Sequence, residues 1–322
     1  MTRLLPSGTA PLAELAPFAE IRLIALDVDG TLLSPKAEEP GTLVTALRTL
    51  PHYRYKVGIT IATGRAYAGA LPAIKSLNPS QLFPIIIYNG SVTVNLVTNR
   101  VLDRHIISQD LVLQINEVAS AHELHSLVYE CTPTVPMGLG SHPSRHAPPV
   151  LEWVSGFGQE KGRTWVKDPN GLNVSWSHQS YQAAMDGATA VIIPTAGRAK
   201  AANNARRELH GINGISVTAS GPQYIEIRPN GVDKSTALQH LAVRLGITQK
   251  QIAAVGDSEN DVEMLRWAGC GVCVADASQR AIDASDFLSR YNGSGGVVEL
   301  LQTIRQARRY LGDTSPRPGH LA

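Results

Sequence analysis

The stretch Ile21-Arg22-Leu23-Ile24-Ala25-Leu26-Asp27-Val28-Asp29-Gly30-Thr31 decides how this chain is read. Its first six residues form a short apolar run, which reads as a strand delivering carboxylates to its C-terminal end. Two carboxylates at i and i+2 just past a strand end can converge on one site, and Gly30 lets the chain turn sharply there. The plain alternative is a solvated acidic turn, because Asp-Gly is itself a common turn.

The segments around this stretch set the fold class. Leu43–Leu50 has helical spacing and is stopped by Pro51. Val57–Ala62 is a second apolar strand, followed by Thr63-Gly64-Arg65 and a helical stretch to about Leu77. Pro84–Tyr88 is a third strand, ending in Asn89-Gly90. Three strands separated by helical segments imply parallel βαβ units. After Gly90 the pattern changes to a hairpin over 91–101, a helix over 108–124 and an irregular stretch over 133–162. Strands at 172–177 and 191–194, a helix at 198–209 and a strand pair at 215–219 and 224–228 follow. From Gly231 the α/β rhythm resumes, with Gln251–Val255 as a strand that ends at Gly256-Asp257. These readings predict an α/β protein whose parallel-sheet core (20–91 and 220–312) is split by an α+β insertion (92–219). Residues 1–19 read as a loose leader and 313–322 as a disordered tail.

Composition narrows the function classes. The 322 residues are 43% hydrophobic, enough for a large core and for two domains. Twenty-nine Lys and Arg against 27 Asp and Glu give a net charge of only +2. No basic run is interleaved with aromatics, which argues against a nucleic-acid partner. No apolar run approaches the roughly 18 residues of a membrane span. The absence of a secretory signal and the presence of only three Cys point to the cytoplasm. Cys270 and Cys273 form a Cys-x-x-Cys, but Cys270-Gly271-Val272-Cys273-Val274 alternates like a buried strand and no second ligand pair exists for zinc.

Other motifs supply the chemistry. Gly256-Asp257-Ser258-Glu259-Asn260-Asp261 follows an apolar strand, and Asp257 and Asp261 share a face if a helix starts there. Helix capping is the structural alternative. Together with Asp27 and Asp29, these acids would repel one another without a cation, and hard oxygen donors of this kind suit Mg²⁺. The Thr63 hydroxyl and free amides at a helix start can hold a phosphate oxygen, or serve only as a cap. Lys234 sits at a helix start, unfavourably for the helix dipole unless an anion is near, or else solvated.

These segments, in this order, resemble the haloacid dehalogenase superfamily, and the arrangement is similar to its Cof-type (subclass IIB) phosphatases, which carry an inserted α+β cap of C2 type on a Rossmann-like core. The resemblance is carried by Asp27–Leu32, Ala62–Arg65, Asn89-Gly90, Gly231–Lys234 and Gly256–Asp261, with Ala284-Ser285-Asp286 and Gly295-Gly296-Val297 matching the family's ending. It implies an Mg²⁺-dependent phosphatase acting on a small phosphorylated metabolite, such as a sugar phosphate, FMN or pyridoxal phosphate. It further implies Asp27 as the nucleophile that becomes an aspartyl-phosphate and Asp29 as acid and base. Metal ligation would come from the Asp27 carboxylate, the Asp29 carbonyl and the Asp257 carboxylate, with Asn260 and Asp261 orienting them. Thr63, Gly64, Lys234 and Asn89 would bind the phosphoryl group, and Arg65, His142 and Arg145 are candidates for contacting the rest of the substrate. A phosphosugar mutase of the same superfamily is the alternative, and a non-catalytic ligand-binding protein a more distant one. The chain is expected to be a monomer or homodimer.

Overall fold

The computed structural model describes residues 2–6, 10–34, 57–77, 82–134, 148–158, 168, 170–177, 187–195, 197–218 and 223–311. The helix expected over 43–50, the tail 313–322, and both His142 and Arg145 lie outside the described residues. Along the chain, β1 (Arg3–Leu4) and α1 (Leu12–Ala19) precede β2 (Leu23–Leu26), β3 (Gly58–Ile61), α2 (Tyr67–Ser76) and β4 (Ile85–Ile87). Next come β5 (Val92–Asn95), β6 (Arg100–Arg104), α3 (Gln109–Ala121), β7 (Ser126–Pro133), β8 (Val150–Phe157) and β9 (Val174–Ser177). They are followed by β10 (Ala190–Pro194), α4 (Ala199–Leu209), β11 (Ile215–Thr218) and β12 (Tyr224–Pro229). The last described elements are α5 (Lys234–Leu245), β13 (Ile252–Gly256), α6 (Val262–Trp267), β14 (Cys270–Cys273), α7 (Gln279–Ala284), β15 (Phe287–Leu288) and α8 (Ser294–Leu311).

Two compact units result. The first comprises Met1–Thr63, Pro72–Ile85 and Lys234–Ala322, and the second comprises Gly64–Leu71 and Ile86–Asp233. The first unit is built on a six-stranded sheet in the order β1-β15-β14-β13-β2-β3, with every pair parallel. Its central strands β2, β13 and β14 are buried at every position, as parallel strands covered on both faces must be. Because the strands run the same way, their C-terminal ends share one edge. Leu26 pairs with Val255 and with Ile61, so Asp27, Ala62-Thr63 and Gly256-Asp257 all leave the sheet side by side. Cys270 and Cys273 are buried free thiols within β14, as their alternation predicts, and burial pushes both up in pKa.

Two expectations for this unit need correction. The described residues of 1–19 are not a loose leader. β1 adds to the sheet edge by pairing with β15, and α1 buries Leu15 and Phe18, the latter 5.1 Å from the Phe287 ring. Arg290 Nη1 donates to Leu5 O (2.7 Å) and Arg308 Nε to Ala19 O (3.2 Å), tying both pieces down. Pro11 directly precedes α1, and Pro17 lies inside it. The strand expected at 84–88 is also different. Here the chain meets β3 through the isolated parallel bridge Ile59–Leu82, and Ile85–Ile87 forms β4 of a separate three-stranded sheet with β5 and β6. A run of three isoleucines suits either sheet, so hydropathy alone could not choose.

The second unit has a six-stranded sheet in the order β11-β12-β10-β7-β8-β9, antiparallel except for β8 with β9. One face is apolar. Val128, Val191, Ile193, Ile225 and Ile227 pack with Val112, Ile115 and Ala119 of α3 and Ala202, Ala205 and Leu209 of α4. Alternation sends Tyr224, Glu226 and Arg228 of β12 to the opposite face. The irregular stretch expected over 133–162 is partly a strand, because Val150–Phe157 pairs with β7 along its whole length. Pro148 and Pro149 hid its start, although the buried Val150, Val154 and Gly156 carry the alternation. Residues 223–229, expected in the core, pair here as β12, between β11 and β10.

Candidate active site

The two acidic segments converge in the first unit. Asp27 directly follows β2, its N–H donating to Val255 O (3.0 Å), and the residue is 3% exposed. The Lys234 ammonium, completely buried, donates to Asp27 Oδ1 (2.6 Å) and to Asp261 Oδ1 (2.7 Å). A solvated lysine is therefore excluded: the anions that let a lysine sit at the start of α5 are these two aspartates. Asp261 Oδ2 accepts the N–H groups of Asp257 (3.0 Å) and Ser258 (3.1 Å), so this carboxylate fixes the turn after β13. Asp257 Oδ1 accepts from Thr31 Oγ1 (3.1 Å), a residue of the first motif to which the sequence reading gave no task. Ser258 Oγ donates to Asn260 Oδ1 at 2.6 Å.

Carboxylate oxygens of Asp27, Asp257 and Asp261 lie within 4.8 Å of one another. Three carboxylates then face a single ammonium, a deficit of positive charge in a buried place. Its effect is visible in the acids themselves. Burial, then Asp261, push the Asp27 carboxyl well above the ordinary range, only partly offset by Lys234. Burial and Asp261 raise Asp257 to about 6, with Thr31 and Lys234 pulling the other way. Burial opposes the charge on Lys234, but Asp261 and Asp27 outweigh it and hold its pKa above the usual lysine value. A compact all-oxygen donor set short of positive charge fits a hard divalent cation such as Mg²⁺.

Asp29 is exposed in the turn that follows β2, which is closed by Leu33 N–H to Val28 O (2.7 Å) and Gly30 N–H to Leu33 O (3.1 Å). Gly30 is required there. Its φ is +84°, and an added Cβ would fall 2.3 Å from Asp257 Oδ2. Thr63 is fully buried at the end of the β3 segment.

Gly64, Arg65 and Asn89 group with the second unit. Arg65 Nη1 donates to Gly69 O (2.8 Å). At the start of α2, three amides are not free. The N–H groups of Ala66, Tyr67 and Ala68 are taken by Asn170 Oδ1 (3.0 Å), Glu152 Oε1 (2.7 Å) and Glu152 Oε2 (2.9 Å). Asn89 has a left-handed backbone (φ +51°), and its Nδ2 donates to Glu226 Oε2 (3.0 Å). A cavity lies over the polar sheet face, walled by Tyr88, Asn89, Tyr129, Asn170, Glu226 and Arg228. Among the described residues, Arg228 Nε and Nη1 and the cavity-lining Thr218 Oγ1 are buried without a hydrogen-bond partner. Burial pulls Arg228 down in pKa, and Asp233 and Glu226 counter it. The sequence reading missed Glu152, Asn170, Glu226 and Arg228. Only the alternation Tyr224-Ile225-Glu226-Ile227-Arg228 could have flagged two of them.

With this geometry in hand, comparison with known proteins gives a consistent result. The family model of haloacid dehalogenase-like hydrolases matches residues 24–301. The Bacillus subtilis (strain 168) protein YxeH is 26% identical over 298 residues, covering 89% of this chain and 99% of that one. Pyridoxal phosphate phosphatase YbhA of Escherichia coli (strain K12) is 25% identical over 281 residues, covering 87% and 97%. A solved haloacid dehalogenase-like hydrolase from Bacteroides thetaiotaomicron superposes with a TM-score of 0.69 at 22% identity, covering 88% of this chain and 99% of that one. The chain therefore belongs to the haloacid dehalogenase-like hydrolase family. It is a hydrolase of the Cof-type arrangement that its motifs resemble. No helix among the described residues is long and apolar enough to cross a membrane.

Proposed function

We propose that this chain is an Mg²⁺-dependent phosphatase that hydrolyses a small phosphate monoester through an aspartyl-phosphate on Asp27. The observation that carries this reading is the buried Asp27 carboxylate at the β2 end, held by Lys234 at 2.6 Å with Asp257 and Asp261 beside it. Lys234 occupies Asp27 Oδ1, which leaves Oδ2 as the oxygen to attack phosphorus. Asp29, exposed in its turn, gives a proton to the departing alkoxide and later takes one from the water that cleaves the acyl phosphate. The Thr63 hydroxyl, the Gly64 amide and Asn89 bind phosphoryl oxygens, and Lys234 balances the charge that accumulates on them.

The Asp27 and Asp257 carboxylates and the Asp29 carbonyl would hold Mg²⁺. Asp261, with both oxygens already engaged by Lys234 and the Asp257 and Ser258 amides, orients the others, together with Asn260. When bound, the ion neutralises the carboxylates and polarises a phosphoryl oxygen. The substrate is the phosphate ester of a hydroxyl-bearing metabolite, such as a sugar phosphate, FMN or pyridoxal phosphate, and relatives named as phosphatases of 5-amino-6-(5-phospho-D-ribitylamino)uracil and of pyridoxal phosphate support that class. The free buried cysteines fit a cytoplasmic protein, and a monomer or homodimer suffices.

A panel of phosphate esters headed by p-nitrophenyl phosphate tests the reading. Phosphate release should need Mg²⁺, stop with EDTA and return when Mg²⁺ is restored in excess. Hydrolysis of no ester, or an unchanged rate after exhaustive chelation, would overturn it. Gly30→Ala tests the donor set itself. Its Cβ would displace the Asp257 carboxylate, so half-maximal rate should need about tenfold or more Mg²⁺. An unchanged Mg²⁺ titration would remove Asp257 from the donor set.

A further inference from the structure

We propose that Glu152 of β8 is a positioning residue: one carboxylate that holds in place the two turns carrying Gly64 and Asn89. The inference rests on the reading above that these turns bind the phosphoryl group. It begins with a gap in the sequence. α2 starts at Tyr67, and the residues before it, Gly64-Arg65-Ala66, include no Ser, Thr, Asp or Asn to cap it. The orphan amides of its first turn must therefore find acceptors elsewhere.

Distant side chains supply those acceptors. Glu152 accepts the Tyr67 and Ala68 N–H groups at 2.7 and 2.9 Å, from 85 and 84 residues away in sequence. Asn170 accepts the Ala66 N–H at 3.0 Å, and its own amide is fixed by donating to Asp168 Oδ2 (2.8 Å). A carboxylate placed on a helix N-terminus also complements the helix dipole.

The same carboxylate holds the second turn. Glu152 Oε1 accepts from the Tyr88 hydroxyl at 2.7 Å. Tyr88 has φ of +51°, an uncommon conformation for a bulky residue that persists only where the surroundings enforce it. Its neighbour Asn89 shares that φ and is steadied by Glu226. Tyr88 N–H donates to Arg65 O (3.0 Å), and a Cβ on Gly64 would lie 2.9 Å from Asn89 Nδ2. The two turns thus touch each other, and Glu152 is the side chain bonded to both. Burial lifts its carboxyl above the ordinary range, while the bonds from Ala68, Tyr88 and Tyr67 restrain that rise.

Glu152→Gln, Tyr88→Phe and the double variant, assayed in the full chain, test the proposal. A carboxamide keeps the size but faces at least one N–H or O–H donor with an NH₂ group. Glu152→Gln should raise the inhibition constant for inorganic phosphate about tenfold and lower kcat/KM for p-nitrophenyl phosphate at least as much. Tyr88→Phe should cost about threefold, and the double variant should be no worse than Glu152→Gln alone. A purely structural cap would lower Tm but leave phosphate inhibition of the folded enzyme unchanged, and that result overturns the proposal. Independent, multiplicative effects of the two substitutions overturn it too. If Glu152→Gln does not fold, Tyr88→Phe alone decides: phosphate inhibition equal to the parent's refutes the link. A parent enzyme that hydrolyses no phosphate ester fails the proposed function itself, a result separate from any comparison of variants.

Discussion

Asp27→Asn is expected to abolish phosphate-ester turnover, with kcat falling at least ~10³-fold, while the protein stays folded and continues to bind its substrate. The chemical half of this expectation is direct: a carboxamide cannot act as the nucleophile that forms an acyl phosphate. The structural half follows from the surroundings of Asp27. Lys234 reaches Asp27 at Oδ1, a position an amide oxygen can fill, and keeps its second partner, Asp261. Burial and the Asp261 charge already push the Asp27 carboxyl upward, so ionising it is costly in the native state. A neutral side chain of the same shape removes that cost as well as part of the attraction to Lys234. The two changes oppose each other, and Tm should move by no more than about 2–4 °C, the shift that ~1 kcal/mol produces in a domain of this size. Scanning calorimetry and a steady-state assay on one preparation check both halves. Residual turnover above roughly 1% of the parent's would remove Asp27 as the nucleophile, because loss of a nucleophile leaves much less. A large fall in Tm would instead show that the Asp27 charge supports the fold.

The first unit could be read from its sequence because parallel strands announce themselves. Leu23–Leu26, Gly58–Ile61 and Ile252–Gly256 are short apolar runs, each followed within two residues by a polar residue at the shared edge of the sheet. Side chains distant in sequence could be grouped at that edge because a parallel sheet fixes which strand ends are neighbours. The partners of Lys234 were harder to foresee. The helix dipole required an anion near it, but only tertiary pairing shows that the anions present are Asp27 and Asp261.

The second unit was less legible for an equally physical reason. Its cavity-lining face is one side of a largely antiparallel sheet, so every second residue faces away from the cavity and local windows mix two environments. Val150–Phe157 shows this: Glu152, bonded to α2, shares one face with the buried Val154, whereas Ser155 pairs with Val128 of the apolar face. Glu152 was invisible for a further reason. Its role depends on α2 lacking a cap of its own, and a missing cap gives no indication of which residue supplies it. The N-terminal segment departs from a loose leader in the opposite sense, because α1 buries Leu15 and Phe18.

Lys234→Met should produce the largest loss of stability of any single substitution at the β2 edge, together with loss of activity. The ammonium is fully buried and contacts two carboxylates, at 2.6 and 2.7 Å. Methionine matches the stem in length and polarity but leaves Asp27 and Asp261 facing each other with no counter-charge. Removing one partner from a buried ionic cluster costs about 3–5 kcal/mol, because the remaining charges stay desolvated. For a unit of this size that is a fall in Tm on the order of 10 °C. The loss should depend on pH, and its sign follows from the carboxylates. Without Lys234 the folded-state pKa of Asp27 rises further above its unfolded value. A group raised in this way contributes stability below its unfolded pKa and loses it as pH rises through the folded value. The difference from the parent should therefore be greatest at neutral pH and shrink as pH falls through the raised Asp27 range towards its ordinary value of 3.8. Calorimetric scans of parent and variant at neutral and acid pH measure both quantities. A Tm equal to the parent's at neutral pH would mean that the cluster does not depend on Lys234 for its charge balance. Lys234→Arg should not rescue activity, because a planar guanidinium cannot replace a compact ammonium held between two single oxygens at these distances.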